Sequence, residues 1–158
     1  AHGNHDKGYY AEKRGYSSAD LEEELTKNNV KVLKDENILI NNEIYILGRK
    51  DAEVRNRMSA QDLVKDLDKS KYIIDINHQQ TDYDNESKSN IDLVVSGHTH
   101  GGQFIPLGLL SPYVSENDSI YGYKKINNTN FIVTSGISDW ELKLKTGCIS
   151  EYVLININ

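Results

Sequence analysis

Cysteine is nearly absent from this sequence: Cys148 stands alone among 158 residues. One thiol cannot close an internal disulfide, and it leaves no cysteine-based zinc site. Positive charge is in deficit too, with 18 Lys and Arg against 24 Asp and Glu and a formal net charge of −6. Phosphate backbones are gripped by basic faces, so the composition gives no nucleic-acid-binding surface. Long apolar runs are also missing. No stretch approaches the roughly 20 residues that a transmembrane helix needs, and a mean hydropathy of −0.61 with 37% hydrophobic residues describes a polar surface. No secretory signal is visible, which decides nothing about localisation: cytoplasmic and membrane-associated both stay open. Two Phe and one Trp stand against ten Tyr, an imbalance from which no function follows. The length suffices for one domain with a sizeable core.

What is present is histidine at strand ends. The apolar run Ile91 to Val95 reads as a buried strand that stops at Gly97. Beyond it come His98, Thr99 and His100, then Gly101 and Gly102. In an extended turn the two imidazoles project to one side, because side chains alternate with period two. Neutral imidazole is the commonest metal ligand, and the glycines let the backbone approach a ligand closely. A lone His-x-His pair is weak evidence, but here it has company. Gly3-Asn4-His5-Asp6 reads as a second strand exit. Asn4 offers a neutral oxygen ligand, and a carboxylate such as Asp6 fixes the tautomer of a neighbouring His5. A third β-rich run, Tyr72 to Asn77, ends at His78. Three strand ends that each deliver His or Asn have the layout of a site at the edge of an α/β sheet.

These motifs in this order resemble the later motifs of the calcineurin-like metallophosphoesterases, over nearly the whole chain. The run Ser96 to Gln103 is similar to a branch whose members are often membrane-associated or exported. The resemblance implies an α/β fold, part of a four-layer α/β/β/α sandwich, with a dinuclear metal centre. It also implies a departure. The family pattern opens with an Asp-x-His motif and a Gly-Asp-x-x-Asp motif, neither of which occurs ahead of Gly3. Residues 1–158 are therefore expected to be the C-terminal portion of a single phosphoesterase domain, holding about half of the metal shell. A second departure is local: the family often has Pro two residues after the histidine that matches His78, where this chain has Gln80.

By resemblance, Asn4, His78 and His98 match ligands of one metal, and His100 matches a ligand of the other. His5 matches the residue that protonates the leaving oxygen or steadies the transition state, with Asp6 orienting it. Two divalent ions about 3.5–4 Å apart would activate a water for in-line attack on a phosphomonoester or phosphodiester. Mn, Fe, Zn, Ni and Co all suit such ligands. The implied partners are a small phosphate-ester substrate and the upstream part of the same protein. Exposed sheet edges give a third expectation, self-association. By itself the incomplete chain is expected to be inactive. The rival reading is a non-catalytic binding or interaction module that keeps the fold.

Along the chain, Lys7 to Arg14 reads as a polar loop. A helix is expected from Ser17 or Ser18 to about Lys27, with Asp20, Glu22, Glu23 and Glu24 suiting its dipole. Short strands follow at Val30 to Leu33, Ile38 to Ile40 and Ile44 to Leu47, with Asn41-Asn42 as a hairpin turn. Arg49 reads as a solvated cation at a strand end, or as one that reaches an anionic substrate. Ser59 caps a second helix to about Asp68, whose Leu63 and Leu67 face the core. Gln79 to Asn90 reads as an exposed polar loop. Phe104 to Asn117 reads as a loop over substrate or a poorly ordered flap. Strands are expected at Ile120 to Ile126, Phe131 to Thr134 and Cys148 to Ile157, the last with a buried face. Ser135 to Ser138 resembles a family loop near the metals.

Overall fold

The computed structural model describes residues 1–7, 11–106, 116–140 and 142–157. Its strands are β1 (Glu36–Ile40), β2 (Ile44–Gly48), β3 (Tyr72–Ile76), β4 (Leu93–Ser96), β5 (Gly122–Ile126) and β6 (Thr129–Val133). They form one sheet in the order β1-β2-β3-β4-β6-β5. The inner strands β2, β3, β4 and β6 run parallel, and β1 and β5 pair antiparallel at the two edges. With helices α1 (Ala11–Arg14), α2 (Ser18–Lys27), α3 (Ala60–Val64) and α4 (Tyr83–Ser87), this is a mixed α/β arrangement.

Local chemistry accounts for much of it. Asn41 and Asn42 take φ of 50° and 60°, the left-handed pair that a two-residue hairpin between β1 and β2 requires and that Asn tolerates. Ser17 begins α2 with a capping box: its hydroxyl accepts from the Asp20 N–H, and the Asp20 carboxylate accepts from the Ser17 N–H. Ser59 caps α3 through the Asp62 N–H. No helix among the described residues is long and apolar enough to cross a membrane.

The core lies on one face of the sheet. Leu47, Ile73, Val94, Phe131 and Val133 point there and meet Ala60, Leu63 and Val64 of α3, Tyr83 of α4, and Ile91. Leu67 packs against this cluster from beyond α3. Tyr83 stacks on Phe131 with ring centroids 3.9 Å apart. The opposite face carries Ile46, Ile74, Ile76, Val95 and Ile132 in cross-strand register, and all five are only half-buried.

Several segments depart from the sequence expectation. Val30 to Leu33 forms no strand. Leu33 instead crosses the end of β2, where a Cβ on Gly48 would stand 2.3 Å from the Leu33 Cβ, and the Asp35 N–H bonds the Gly48 carbonyl at 2.8 Å. Residues 148–157 form no strand either, and Tyr152 and Leu154 are 84% and 79% exposed. Their alternating pattern has no described strand to pair with, so it buries no face. The polar stretch 79–90 is not an exposed loop. It contains α4, and Gln80 and Glu86 are fully buried.

Arg49, at 2% exposure, is a further departure. Its guanidinium bonds Glu86 and Asp82, each at 2.8 Å, and the Met58 carbonyl at 3.2 Å. Asn77 donates to the same Glu86 oxygen at 2.6 Å and accepts from Arg57 at 2.6 Å. Arg49 is thus neither solvated nor aimed at a substrate: it neutralises acids beneath the strand ends. Burial, with Glu86 nearby, holds the Asp75 carboxyl well above the usual carboxylate range. The α3 helix also stops at Val64, short of Asp68. The expected polar loop from Lys7 to Arg14 ends instead in helix α1, Ala11–Arg14, and its residues 8–10, like the greater part of the expected loop over Phe104 to Asn117, lie outside the described residues.

Candidate metal centre

The parallel strands β3 and β4 end side by side, and their exits carry His78 and His98. The backbone fixes their relation. The carbonyl of His78 accepts the N–H of Gly97 at 3.3 Å and of His98 at 3.2 Å. The rings meet edge to face with centroids 5.1 Å apart, and His98 Nδ1 lies 3.2 Å from His78 Nε2. The third group arrives from the start of the chain. Asn4 opens a short 3₁₀ turn, Asn4–Lys7, rather than leaving a strand, and its Oδ1 lies 3.1 Å from the same His78 Nε2. Gly3 makes this approach possible: a Cβ there would stand 3.0 Å from the His78 ring. Asp6 Oδ2 accepts the Gly3 N–H at 2.8 Å and so closes the turn.

Three electron-rich atoms therefore converge. A lone pair on His78 Nε2 faces the Asn4 oxygen, while a proton there has to be shared between two acceptors. A cation at the meeting point satisfies all three. Ligand atoms about 2.0–2.2 Å from a common ion stand about 3 Å apart, so the spacing fits. Burial, and then the neighbouring His98, lower the His78 pKa to about 4, and burial lowers that of His98. Both imidazoles are thus neutral near pH 7, the form that ligates. Among the described residues no three His, Cys, Asp or Glu side chains are gathered closely enough to hold a metal; the third donor here is an amide.

His98 and His100 do not sit on an extended turn. Thr99 is helical and His100 has φ of 51°, so a tight 3₁₀ turn replaces the alternation. Both rings nonetheless border one cavity of about 450 Å³, together with Asn4, His5 and His78. The Thr99 hydroxyl steadies the turn, accepting from Gln80 at 2.8 Å and donating to the Ile120 carbonyl at 2.6 Å. His100 Nδ1 faces the Ser138 carbonyl at 3.4 Å. An adjoining hollow joins His5, Asp6 and His100 to Ser138 and Trp140, which puts the Ser135 to Ser138 segment beside the histidines. Two wall residues escaped sequence reasoning, Gln103 and Trp140. They stand 37 positions apart, and no local pattern joins them.

Much of this sequence is similar to named metallophosphoesterases. An uncharacterized metallophosphoesterase of Campylobacter jejuni is 34% identical over 134 residues, covering 82% of this chain and 35% of its own length. An uncharacterized metallophosphoesterase of Aquifex aeolicus is 32% identical over 117 residues, 70% of this chain and 44% of its own. One from Helicobacter pylori is 34% identical over 106 residues, 61% of this chain and 28% of its own. The chain belongs to the metallophosphoesterase family. It spans well under half the length of these three metallophosphoesterases. No family model matches it, and no solved structure matches it significantly.

Proposed function

We propose that this chain is the C-terminal portion of a single calcineurin-like domain, a metal-dependent phosphoesterase that hydrolyses phosphomonoesters or phosphodiesters at a dinuclear metal centre. The observation that carries the reading is the approach of Asn4 Oδ1 and His98 Nδ1 to His78 Nε2, at 3.1 and 3.2 Å. Asn4, His78 and His98 would hold one divalent ion, and His100, on the same cavity, would ligate a second. Bound there, divalent ions supply Lewis acidity toward phosphoryl oxygens and a hydrolytic water of lowered pKa. His5, on that cavity wall, donates the proton that the leaving oxygen needs, and Asp6 fixes the turn that carries it. Mn, Fe, Zn, Ni and Co all suit the donor set.

The three converging donors are neutral, so by itself this chain binds a cation weakly and is inactive. Carboxylate ligands come from chain outside these residues, for which relatives matched over only 35% and 44% of their length leave room. The half-buried apolar face of the sheet supports the same division: a second sheet packed there completes a four-layer sandwich. The exposed strand edges β1 and β5 give the isolated chain a route to self-association. The all-neutral donor set also favours a second reading, a binding module that keeps the fold without catalysis.

Hydrolysis of bis(p-nitrophenyl) phosphate with Mn²⁺ decides between them. The full-length protein is expected to be active, this chain inactive, and His98→Ala in the full-length protein to lose at least about 100-fold, since even outer-shell partners of a metal cost 10–100-fold. A full-length protein inert with all five metals would leave the binding module as the account.

A further inference from the structure

The loop that packs on the end of the histidine turn, around Trp140, Leu142 and Leu144, is built inside out. Gln103, a polar residue, is 4% exposed, while Trp140, Leu142 and Leu144 are 48%, 63% and 58% exposed. The reason lies in the hydrogen bonds. Gln103 Oε1 accepts the Trp140 N–H at 2.7 Å. Its Nε2 faces the carbonyls of Trp140, Leu142 and Leu144 at 3.0, 3.1 and 3.0 Å, two amide protons shared among three acceptors. The Gln103 carbonyl accepts from Thr146 and Gly147 at 2.9 and 3.0 Å. One side chain and its own carbonyl thus organise a loop some 40 residues away, with the loop's polar backbone turned inward and its apolar side chains outward.

The consequence falls on Trp140. Both its N–H and its carbonyl are held by Gln103, so its backbone is fixed while its indole stays half exposed. That indole and the Phe104 ring line the same cavity as His78 and His98. A fixed, half-exposed aromatic wall beside phosphoryl-binding groups offers a stacking surface to whatever the phosphate is esterified with.

We propose that Gln103 positions Trp140 as the platform for an aromatic ring on the substrate, so that the site prefers phosphate esters of ring-bearing alcohols. This rests on the phosphoesterase reading and adds the class of the esterifying group. Phenylphosphonate and methylphosphonate, which differ in the ring alone, test it on this chain with Zn²⁺ present. Affinity is read from the imidazole resonances of His78 and His98. Trp140, the single tryptophan, reports ring contact through its emission. Phenylphosphonate is expected to bind about fivefold tighter, the order of one aromatic contact, and to change the emission where methylphosphonate does not. Trp140→Phe retains the preference; Trp140→Ala and Gln103→Ala abolish it. Equal affinities with clear imidazole shifts overturn the platform and leave the phosphoesterase reading standing. No imidazole shift with either phosphonate, in this chain and in the full-length protein alike, overturns both. Trp140→Ala, at a half-exposed position, keeps the test decisive if Gln103→Ala does not fold.

Discussion

The two faces of the sheet are made of similar residues and have opposite fates. On one, Leu47, Ile73, Val94 and Phe131 are at most 1% exposed beneath α3 and α4. On the other, Ile46, Ile74, Ile76, Val95 and Ile132 sit half-buried, and of the apolar side chains in that row only Leu93, paired with Ile74, is buried, at 3% exposure. Hydrophobic content therefore does not decide which face is core. What decides it is whether the chain supplies a layer to cover it, and the chain spans only part of the length of its relatives.

Neighbouring residues on β6 give the sharpest test, because they point to opposite faces. Phe131→Ala removes a fully buried ring stacked on Tyr83 and is expected to cost about 3–5 kcal/mol. Ile132→Ala, one position on, is expected to cost about 1–2 kcal/mol, because that side chain is only partly buried. Urea denaturation of both variants measures the gap, and equal losses would mean that the second face is covered after all. Glu86→Ala leaves Arg49 buried under the closed face with Asp82 but without the second of its two close anions, and is expected to cost about 3 kcal/mol. Glu86→Gln, which keeps the shape, should recover part of it; a Glu86→Ala protein as stable as the parent would remove the network from the account of that face. The smallest effect belongs to the open side. Light scattering at rising concentration is expected to show weak association through the edges and the bare face, diminished by Ile132→Lys. A monomer at high concentration would sink that expectation.

How much was legible in advance depended on the range of the interaction concerned. The helix start at Ser17, the Asn41-Asn42 turn and the runs that became β3 and β4 are all governed by near neighbours, and sequence located them. The histidines were legible as candidates because each follows an apolar run. Their turn was not, since φ of 51° at His100 depends on packing against a segment some 40 residues on, where Cys148 Sγ donates to the His100 carbonyl at 3.0 Å. Arg49 and the stretch 79–90 misled for one reason. Polar residues read as solvated unless their buried partners are known, and the partners of Arg49 lie 33 and 37 positions away.

The sequence alone determined the α/β class, the runs of most strands, the starts of α2 and α3 and a short set of candidate metal ligands, because residue type and period express local energetics. Tertiary structure alone decided that Asn4 meets His78 across 74 positions, that Gln103 turns a distant loop inside out, and that residues 148–157 form no strand. Those outcomes depend on which surfaces the folded chain brings together, and no local pattern encodes that.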